Sequence, residues 1–371
     1  MRILVLTQQY PKENDIYKNG FVHTRVKKYL EETKIYCEVF VLNNRNNNYV
    51  YDNVNVQEGS VDNLVLMLRN GKYDKIIIHF LTWRMISVLL KEEFINIPKL
   101  IWVHGFEALS WRRRIFNIFN SNFLKYMLVN KIQLRYFKKF LGPNTNSKFI
   151  FVSEWMKNIA EKDIKAKFTN FEIIPNGIDT EKFKYSSKDS LKKNILLIRP
   201  FNSRKYATDI ACKAIELLSK EKNFSEYSIT IVGEGKYYEK DTKIISQYDN
   251  VHLINRFLTP DEVKQLHSEN GIFLCPTRQD AQGVSMCEAM SSGLVVVASN
   301  NTAIPEFVDD DINGLLCLNA TDICSKIIKI SNNKEKFNEI SKNARNKILD
   351  KCDLNRIILQ ELNLVKGEND G

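Results

Sequence analysis

Two acids, Asp280 and Glu288, stand eight positions apart in the segment Pro276-Thr277-Arg278-Gln279-Asp280-Ala281-Gln282-Gly283-Val284-Ser285-Met286-Cys287-Glu288. Gly283 suits a loop, and the residues after it predict a helix from about Ser285 to Ser291. The backbone N–H groups of 283–286 would then be free at a helix start, a place for sugar hydroxyls or phosphate. Asp280 falls on the loop side and Glu288 one turn inside the helix. Each can accept hydrogen bonds from a vicinal diol. On spacing alone, an ordinary loop acid and an ordinary helix-surface acid fit equally well.

Cations form the second group. Arg199 follows an apolar run, and Arg204 and Lys205 come five and six residues later. Two or three cations around one site hold a diphosphate and stabilise the charge that develops as it leaves. The same residues also fit a solvated loop. His104 ends another apolar run and is followed by Gly105 and Glu107; His79 ends a third. A lone histidine in such a place is often structural. Asn19, Gly20 and Phe21 join the first apolar run to a helical stretch, behind Tyr17 and Lys18, and a glycine at such a turn lets backbone approach phosphate. Gly233 lies in a glycine turn after a strand, and Arg256 and Phe257 follow another.

The elements that must position these residues read as short apolar strands separated by helix-length segments. Strands are expected at Ile3–Thr7, Cys37–Leu42, Lys75–Phe80, Leu100–His104 and Lys148–Ser153. In the second half they are expected at Asn194–Ile198, Ser228–Val232, Val251–Ile254, Ile272–Cys275, Val295–Ala298 and Gly314–Leu318. This pattern predicts parallel α/β sheets. Polar residues at 176–193 read as a linker, so the expected architecture is two similar α/β domains facing across a cleft. Open parallel sheets bind ligands beyond the carboxyl ends of their strands. His104, Arg199, Gly233 and Arg278 all follow strands.

The 371 residues are 44% hydrophobic and 26% charged, which suits a globular chain and excludes a fibrous or low-complexity one. No run of about 20 apolar residues occurs, so no membrane-spanning helix is expected, and the N-terminus does not read as a signal peptide. Seven scattered cysteines without a Cys-x-x-Cys pair indicate neither a zinc knuckle nor a disulfide framework, and the reading is cytoplasmic and reduced. The net charge of +10 is uneven: residues 1–179 hold 27 Lys/Arg against 17 Asp/Glu, and the remainder hold 27 of each. That asymmetry points to an anionic partner for the first half. From 108 to 153 there are nine cations and no acid. Trp111, Arg112, Arg113, Arg114, Lys138 and Lys139 are expected to meet an anionic membrane, with Phe116, Phe119, Phe123, Tyr126, Tyr136, Phe137 and Phe140 interleaved. The competing reading puts those aromatics in the core and the cations on a solvated face.

The segment ending in Glu288-Ala289-Met290-Ser291-Ser292-Gly293-Leu294-Val295-Val296-Val297 resembles the motif of retaining GT-B glycosyltransferases of family 4, the glycosyl transferases group 1. Ile304-Pro305-Glu306-Phe307-Val308 and Asn313-Gly314-Leu315-Leu316 resemble the same family. Two departures are visible: Asp280 stands where the family usually has Glu, and Gln282-Gly283-Val284-Ser285 replaces the commoner Phe-Gly loop.

The resemblance implies the GT-B fold. An acceptor-binding domain would span 1–180 and a nucleotide-sugar domain 181–345. A C-terminal helix at 346–371 would cross back to the first domain. Asp280 would contact the transferred sugar, the Gly283, Val284 and Ser285 amides its hydroxyls, and Glu288 the ribose. Arg199 with Arg204 or Lys205 would hold the diphosphate, Gly233 would lie near the nucleotide, and Arg256 and Phe257 would meet the base. Asp280, Glu288, His104 and Arg199 would serve catalysis, while Asn19, Gly20, Phe21, His104 and Glu107 would face the acceptor. The implied enzyme needs no metal and no cofactor. It takes a nucleotide sugar, UDP-linked in preference to GDP-linked. Its acceptor is a glycan or lipid-linked glycan in bacterial surface polysaccharide assembly, met at the inner face of the cell membrane. The alternative is a nucleic-acid- or membrane-binding protein that uses its basic half without transferase activity. No nucleic-acid motif accompanies the charge. An epimerase or phosphorylase would carry residue sets not found here.

Overall fold

The computed structural model describes residues 1–13, 15, 19–32, 35–118, 121–142 and 145–367. Tyr17, Lys18 and Phe119, singled out above, lie outside them. The chain forms two compact units, one of Met1–Ile174 with Ile358–Gly371, the other of Pro175–Ile357.

The first unit is built on an eight-stranded sheet. Its strands are β1 (Arg2–Thr7), β2 (Tyr36–Leu42), β3 (Asn47–Tyr51), β4 (Val54–Gly59), β5 (Lys75–His79), β6 (Lys99–Val103), β7 (Ser147–Phe151) and β8 (Phe171–Ile173). They are ordered β3-β4-β2-β1-β5-β6-β7-β8. Every pairing is parallel except β3 with β4. Central β1 is an apolar run because both its faces are covered, with Ile3, Leu4, Val5 and Leu6 fully buried. The β3–β4 hairpin is absent from the strands that the sequence pattern predicts. Its first strand, Asn-Asn-Tyr-Val-Tyr, is largely exposed and has no apolar run to betray it. Asp52 and Asn53 turn it with positive φ.

The second unit carries six parallel strands: β9 (Asn194–Ile198), β10 (Ser228–Val232), β11 (Val251–Ile254), β12 (Ile272–Cys275), β13 (Val295–Ser299) and β14 (Leu315–Cys317). Their order is β11-β10-β9-β12-β13-β14. The chain leaves β9 toward β10 and later returns to β9's other side with β12, so the winding reverses between β9 and β12. In the first sheet the same reversal falls between β1 and β5. A crevice opens beyond the strand ends at such a point.

The 176–193 segment is not a linker. It packs into the second unit, with Phe183 and Lys188 buried. The Lys188 ammonium donates to the His267 carbonyl at 2.7 Å, and the Arg345 guanidinium donates to the carbonyls of Thr180 and Phe183. The last helix, Leu354–Lys366, starts in the second unit and ends in the first. All seven cysteines are buried and unbonded. Among the described residues no helix is long and apolar enough to cross a membrane.

Candidate functional site

Parallel pairing of β9 with β12 brings Arg199 beside the loop that follows Cys275. Arg199 is 5% exposed. Its Nη1 reaches Ser285 Oγ at 3.3 Å and its Nη2 the Cys275 carbonyl at 3.4 Å, both long contacts. Its Nε is buried with no partner, and no carboxylate faces it among the described residues. A buried cation without a counter-ion is costly unless a ligand supplies one. The helix Val284–Ser291 begins next to it. Gly283 caps that helix at φ 81°, a left-handed conformation that suits glycine. The first-turn amides of Val284, Ser285 and Met286 have no acceptor among the described residues.

The Gly283 amide is not free, contrary to expectation. It donates to Asp280 Oδ1 at 3.1 Å, and the Ala281 amide donates to the same oxygen at 2.9 Å. Asp280 thus shapes its own loop with one oxygen. Glu288 sits one turn inside the helix, half-buried, with no hydrogen-bond partner for its carboxyl among the described residues. Burial raises that carboxyl to about 7, against the pull of the Lys182 charge.

Two neighbours escaped sequence reasoning. Gln282 is buried and clamps Asn176, accepting from its amide at 2.7 Å and donating to its carbonyl at 2.9 Å. Gln279 is buried with both amide atoms unpartnered. A loop glutamine gives no sequence signal of either role.

The other expected cations separate. Arg204 is not a spare phosphate ligand: its Nη1 lies 2.7 Å from both oxygens of the buried Asp241, and its guanidinium covers the Tyr237 ring at 3.9 Å. Arg278 is likewise spent, on Asp209 at 2.8 and 2.7 Å. Lys205 has no carboxylate partner among the described residues. Its ammonium is 5.3 Å from the Tyr206 ring, and its carbonyl accepts from the Arg278 amide at 2.8 Å. Gly233, at φ 150°, lets the turn after β10 press on β9's end, since a Cβ there would stand 1.9 Å from the Arg199 carbonyl oxygen. Arg256 and Phe257 follow β11 at the sheet edge. Arg256 is paired with Glu262 at 2.6 Å, and Phe257 is 53% exposed.

Residues 179–347 match the family described as glycosyl transferases group 1. That likeness takes in a little under half of the chain. It is 30% identical over 150 residues to the amylovoran biosynthesis glycosyltransferase AmsK of Erwinia amylovora, a match covering 38% of this chain and 36% of that protein. It is 24% identical over 311 residues to an Escherichia coli UDP-Gal:alpha-D-GlcNAc-diphosphoundecaprenol alpha-1,3-galactosyltransferase, covering 78% and 74%. The chain spans about a third or less of the length of the first curated relatives it matches. Among solved structures, Anabaena HepE in complex with UDP and glucose superposes with a TM-score of 0.72 at 16% identity, covering 99% of this chain and all of that one. The fold is α/β of the GT-B class, two Rossmann-like domains.

The first unit gathers its candidates at its own winding reversal. His79 Nδ1 and His104 Nε2 are 3.0 Å apart, with stacked rings. Burial and the Arg25 charge lower His104 to about 3, and burial lowers His79 well below its ordinary value, so the pair is neutral near pH 7. Phe21, 38% exposed, stands with its ring 5.1 Å from that of His104. The Phe80 ring lies 4.4 Å from that of His104 and 5.9 Å from that of Phe21, and Phe80 holds a positive φ of 62°, uncommon for a bulky residue.

Glu107 is a positioning residue rather than an open acceptor contact. It is fully buried, and its oxygens accept from the His104 amide at 2.6 Å and the Gly105 amide at 3.0 Å. Gly20 does not serve close backbone approach either: it begins a helix, and a Cβ added there would meet nothing within 4 Å. The strained turn is at Asn19, φ 55°.

The basic stretch forms a turn at Trp111–Asn117 and the helix Phe123–Leu141. Phe123, Phe137 and Phe140 enter the core, so aromatics do not make the exposed face. Arg112, Lys138 and Lys139 are exposed, and Trp111 is half-buried. Arg113 is tied to Asp163 at 2.6 Å, and Arg114 lies 5.7 Å from the Tyr126 ring. Leu124 (69% exposed), Leu128 (57%) and Ile132 (45%) recur every four residues on the outer face.

Proposed function

We propose that this protein is a retaining glycosyltransferase that moves a hexose from a nucleotide sugar to a glycan or lipid-linked glycan. The observation that carries the reading is Arg199, a buried cation without a carboxylate, at the winding reversal of the second sheet and beside free helix amides. A diphosphate matches that environment in charge and in acceptor atoms. Lys205 adds a second free cation, and Glu288 offers an unpartnered carboxylate to a ribose diol. The remaining oxygen of Asp280 faces the transferred sugar, with the buried amide of Gln279 alongside. Two similar proteins, one named for UDP-Gal and one held with UDP, support a uridine donor in this reading.

In the reaction the acceptor hydroxyl oxygen bonds to the anomeric carbon while the bond from that carbon to the diphosphate oxygen breaks. The acceptor approaches on the face that the diphosphate leaves, which retains the configuration, and its proton passes to the departing phosphate oxygen, so no separate protein base is needed. Arg199, Lys205 and the Val284–Met286 amides stabilise the charge on the leaving diphosphate. The second unit holds the donor, and the first unit, through Asn19, Phe21 and His104, serves the acceptor. No metal is assigned a part. The setting is polysaccharide assembly at the cytoplasmic face of the membrane. There the exposed Leu124–Leu128–Ile132 row and the surrounding cations meet anionic lipid.

A thermal-shift panel of UDP-, GDP- and dTDP-sugars tests the core of this reading. Stabilisation by uridine ligands, lost in Arg199→Met, is the expected result. Equal indifference to every nucleotide sugar would sink it. Product analysis then separates a new glycosidic bond with retained configuration from an epimer or a sugar phosphate.

A further inference from the structure

Away from the nucleotide site, the first unit carries a groove of about 930 Å³. It runs between the Trp111–Asn117 turn, the second half of the Phe123–Leu141 helix and the C-terminal end of the Glu154–Ile164 helix. One carboxylate lines it, Asp163, and that group is spent: Arg113 takes both its oxygens at 2.6 and 2.8 Å, and the Ser110 amide donates to it at 2.8 Å. The other charged lining residues are Arg112, Lys131, Arg135, Lys138, Lys162 and Lys165. None has a carboxylate partner among the described residues. Lys138, Lys162 and Lys165 stand near helix C-termini, where a cation complements the helix dipole. Arg112, Lys131 and Arg135 do not. Lys131, Arg135 and Lys138 share one helix face at i, i+4 and i+7, so their convergence on the groove is fixed by the backbone. Six like charges around one concavity are unfavourable until an anion enters it.

We propose that this groove binds the phosphate of a lipid headgroup at an anionic bilayer. Two guanidinium forks, Arg112 and Arg135, match phosphate geometry better than point charges alone. The lipid source follows from the same helix: Leu124, Leu128 and Ile132 lie exposed next to the lysine–arginine face, and a water-soluble phosphate would need no such apolar flank. The proposal rests on the membrane contact assigned above and adds selectivity for phosphate to it.

Flotation with two kinds of phosphatidylcholine vesicle tests it, one charged with phosphatidylglycerol and one with oleate to the same surface potential. The wild-type protein should prefer the phosphatidylglycerol vesicles about five-fold or more, and the double variant K131Q/R135Q should lose that preference. L124S/L128S should weaken binding to both vesicles alike. The UDP-induced thermal shift should survive in both variants, and a first-unit transition at the wild-type temperature in calorimetry reports that the substituted unit folds. Equal wild-type binding to the two vesicles, lowered equally by K131Q/R135Q, would overturn the groove and leave the membrane contact standing. Absence of binding to either vesicle would overturn both, with the donor reading untouched. Tighter binding of a single-stranded oligonucleotide than of phosphatidylglycerol vesicles at about 150 mM salt would overturn the lipid assignment in favour of nucleic acid.

Discussion

Burial holds the Glu288 carboxyl at about 7 against the pull of Lys182, while an unfolded Glu titrates near about 4.3. A raised acid pKa means the folded state binds the proton more tightly. The stability this contributes is complete below the unfolded value and is lost as pH rises through 7. Glu288→Gln should therefore raise the melting temperature at pH 8 and change it little at pH 4.5. Donor binding should run the other way, because a ribose diol needs the ionised carboxylate. Affinity for UDP-glucose, whose diphosphate diester keeps its charge over this range, should fall up to about ten-fold per pH unit below 7. Glu288→Gln should bind more weakly and without that slope. A flat wild-type profile by calorimetry would remove Glu288 from the ribose.

Two arginines five positions apart make a sharper contrast. Arg199→Met strands no carboxylate, so it should fold normally and lose about 10²–10³ in kcat. Arg204→Met strands the buried Asp241 and should cost about 3–5 kcal/mol in a denaturant melt. The sequence shows two cations after a strand and cannot show which one already has a partner. That depends on Asp241, 37 residues further on.

At the scale of elements, buried parallel strands were legible because each is an apolar run bounded by polar residues. The winding reversals place their following loops at one edge, which is why Arg199 and the Asp280 loop meet. In the Phe123–Leu141 helix, apolar residues at helical spacing across 115–141 show a helix but not its orientation. Its inner face carries Asn130 and Gln133, and its outer face leucines and isoleucine. The inner polar pair is satisfied by loops. Gln133 donates to the carbonyls of Leu81 and Glu107 and accepts from the Trp83 amide, while Asn130 bridges Leu109 and Trp111. Apolar periodicity cannot announce a face whose partners are backbone groups. Gln133→Leu leaves those groups buried and unbonded, and should cost about 2–4 kcal/mol in a chemical melt. Leu128→Ser, on the outer face, should stay within about 0.5 kcal/mol. A larger loss from Leu128→Ser would mean that the outer row is packed rather than exposed.

Across the whole molecule, the chain's last helix completes the core of its first unit. Glu361 is fully buried, with its oxygens 2.9 and 3.1 Å from Arg25 Nε and 2.8 Å from the Tyr29 hydroxyl. The Lys75 ammonium also donates to the carbonyls of Leu364 and Val365 near that helix's end. The expected C-terminal helix at 346–371 carries in its sequence no record of a partner more than 300 positions earlier. The energetics follow from burial. Removing one member of a buried ion pair leaves the other charged in a low dielectric and costs about 3–5 kcal/mol, whereas replacing both with apolar residues of similar size is often neutral. Glu361→Leu should therefore lower the melting of the first unit, and Arg25→Met combined with Glu361→Leu should recover most of the loss. The second unit has its own core and keeps Arg199, Lys205 and Glu288, so the UDP-induced shift should persist in Glu361→Leu. Differential scanning calorimetry should then resolve two transitions, with only the later one moved by UDP. A single transition that falls as a whole and no longer responds to UDP would show instead that the two units unfold as one.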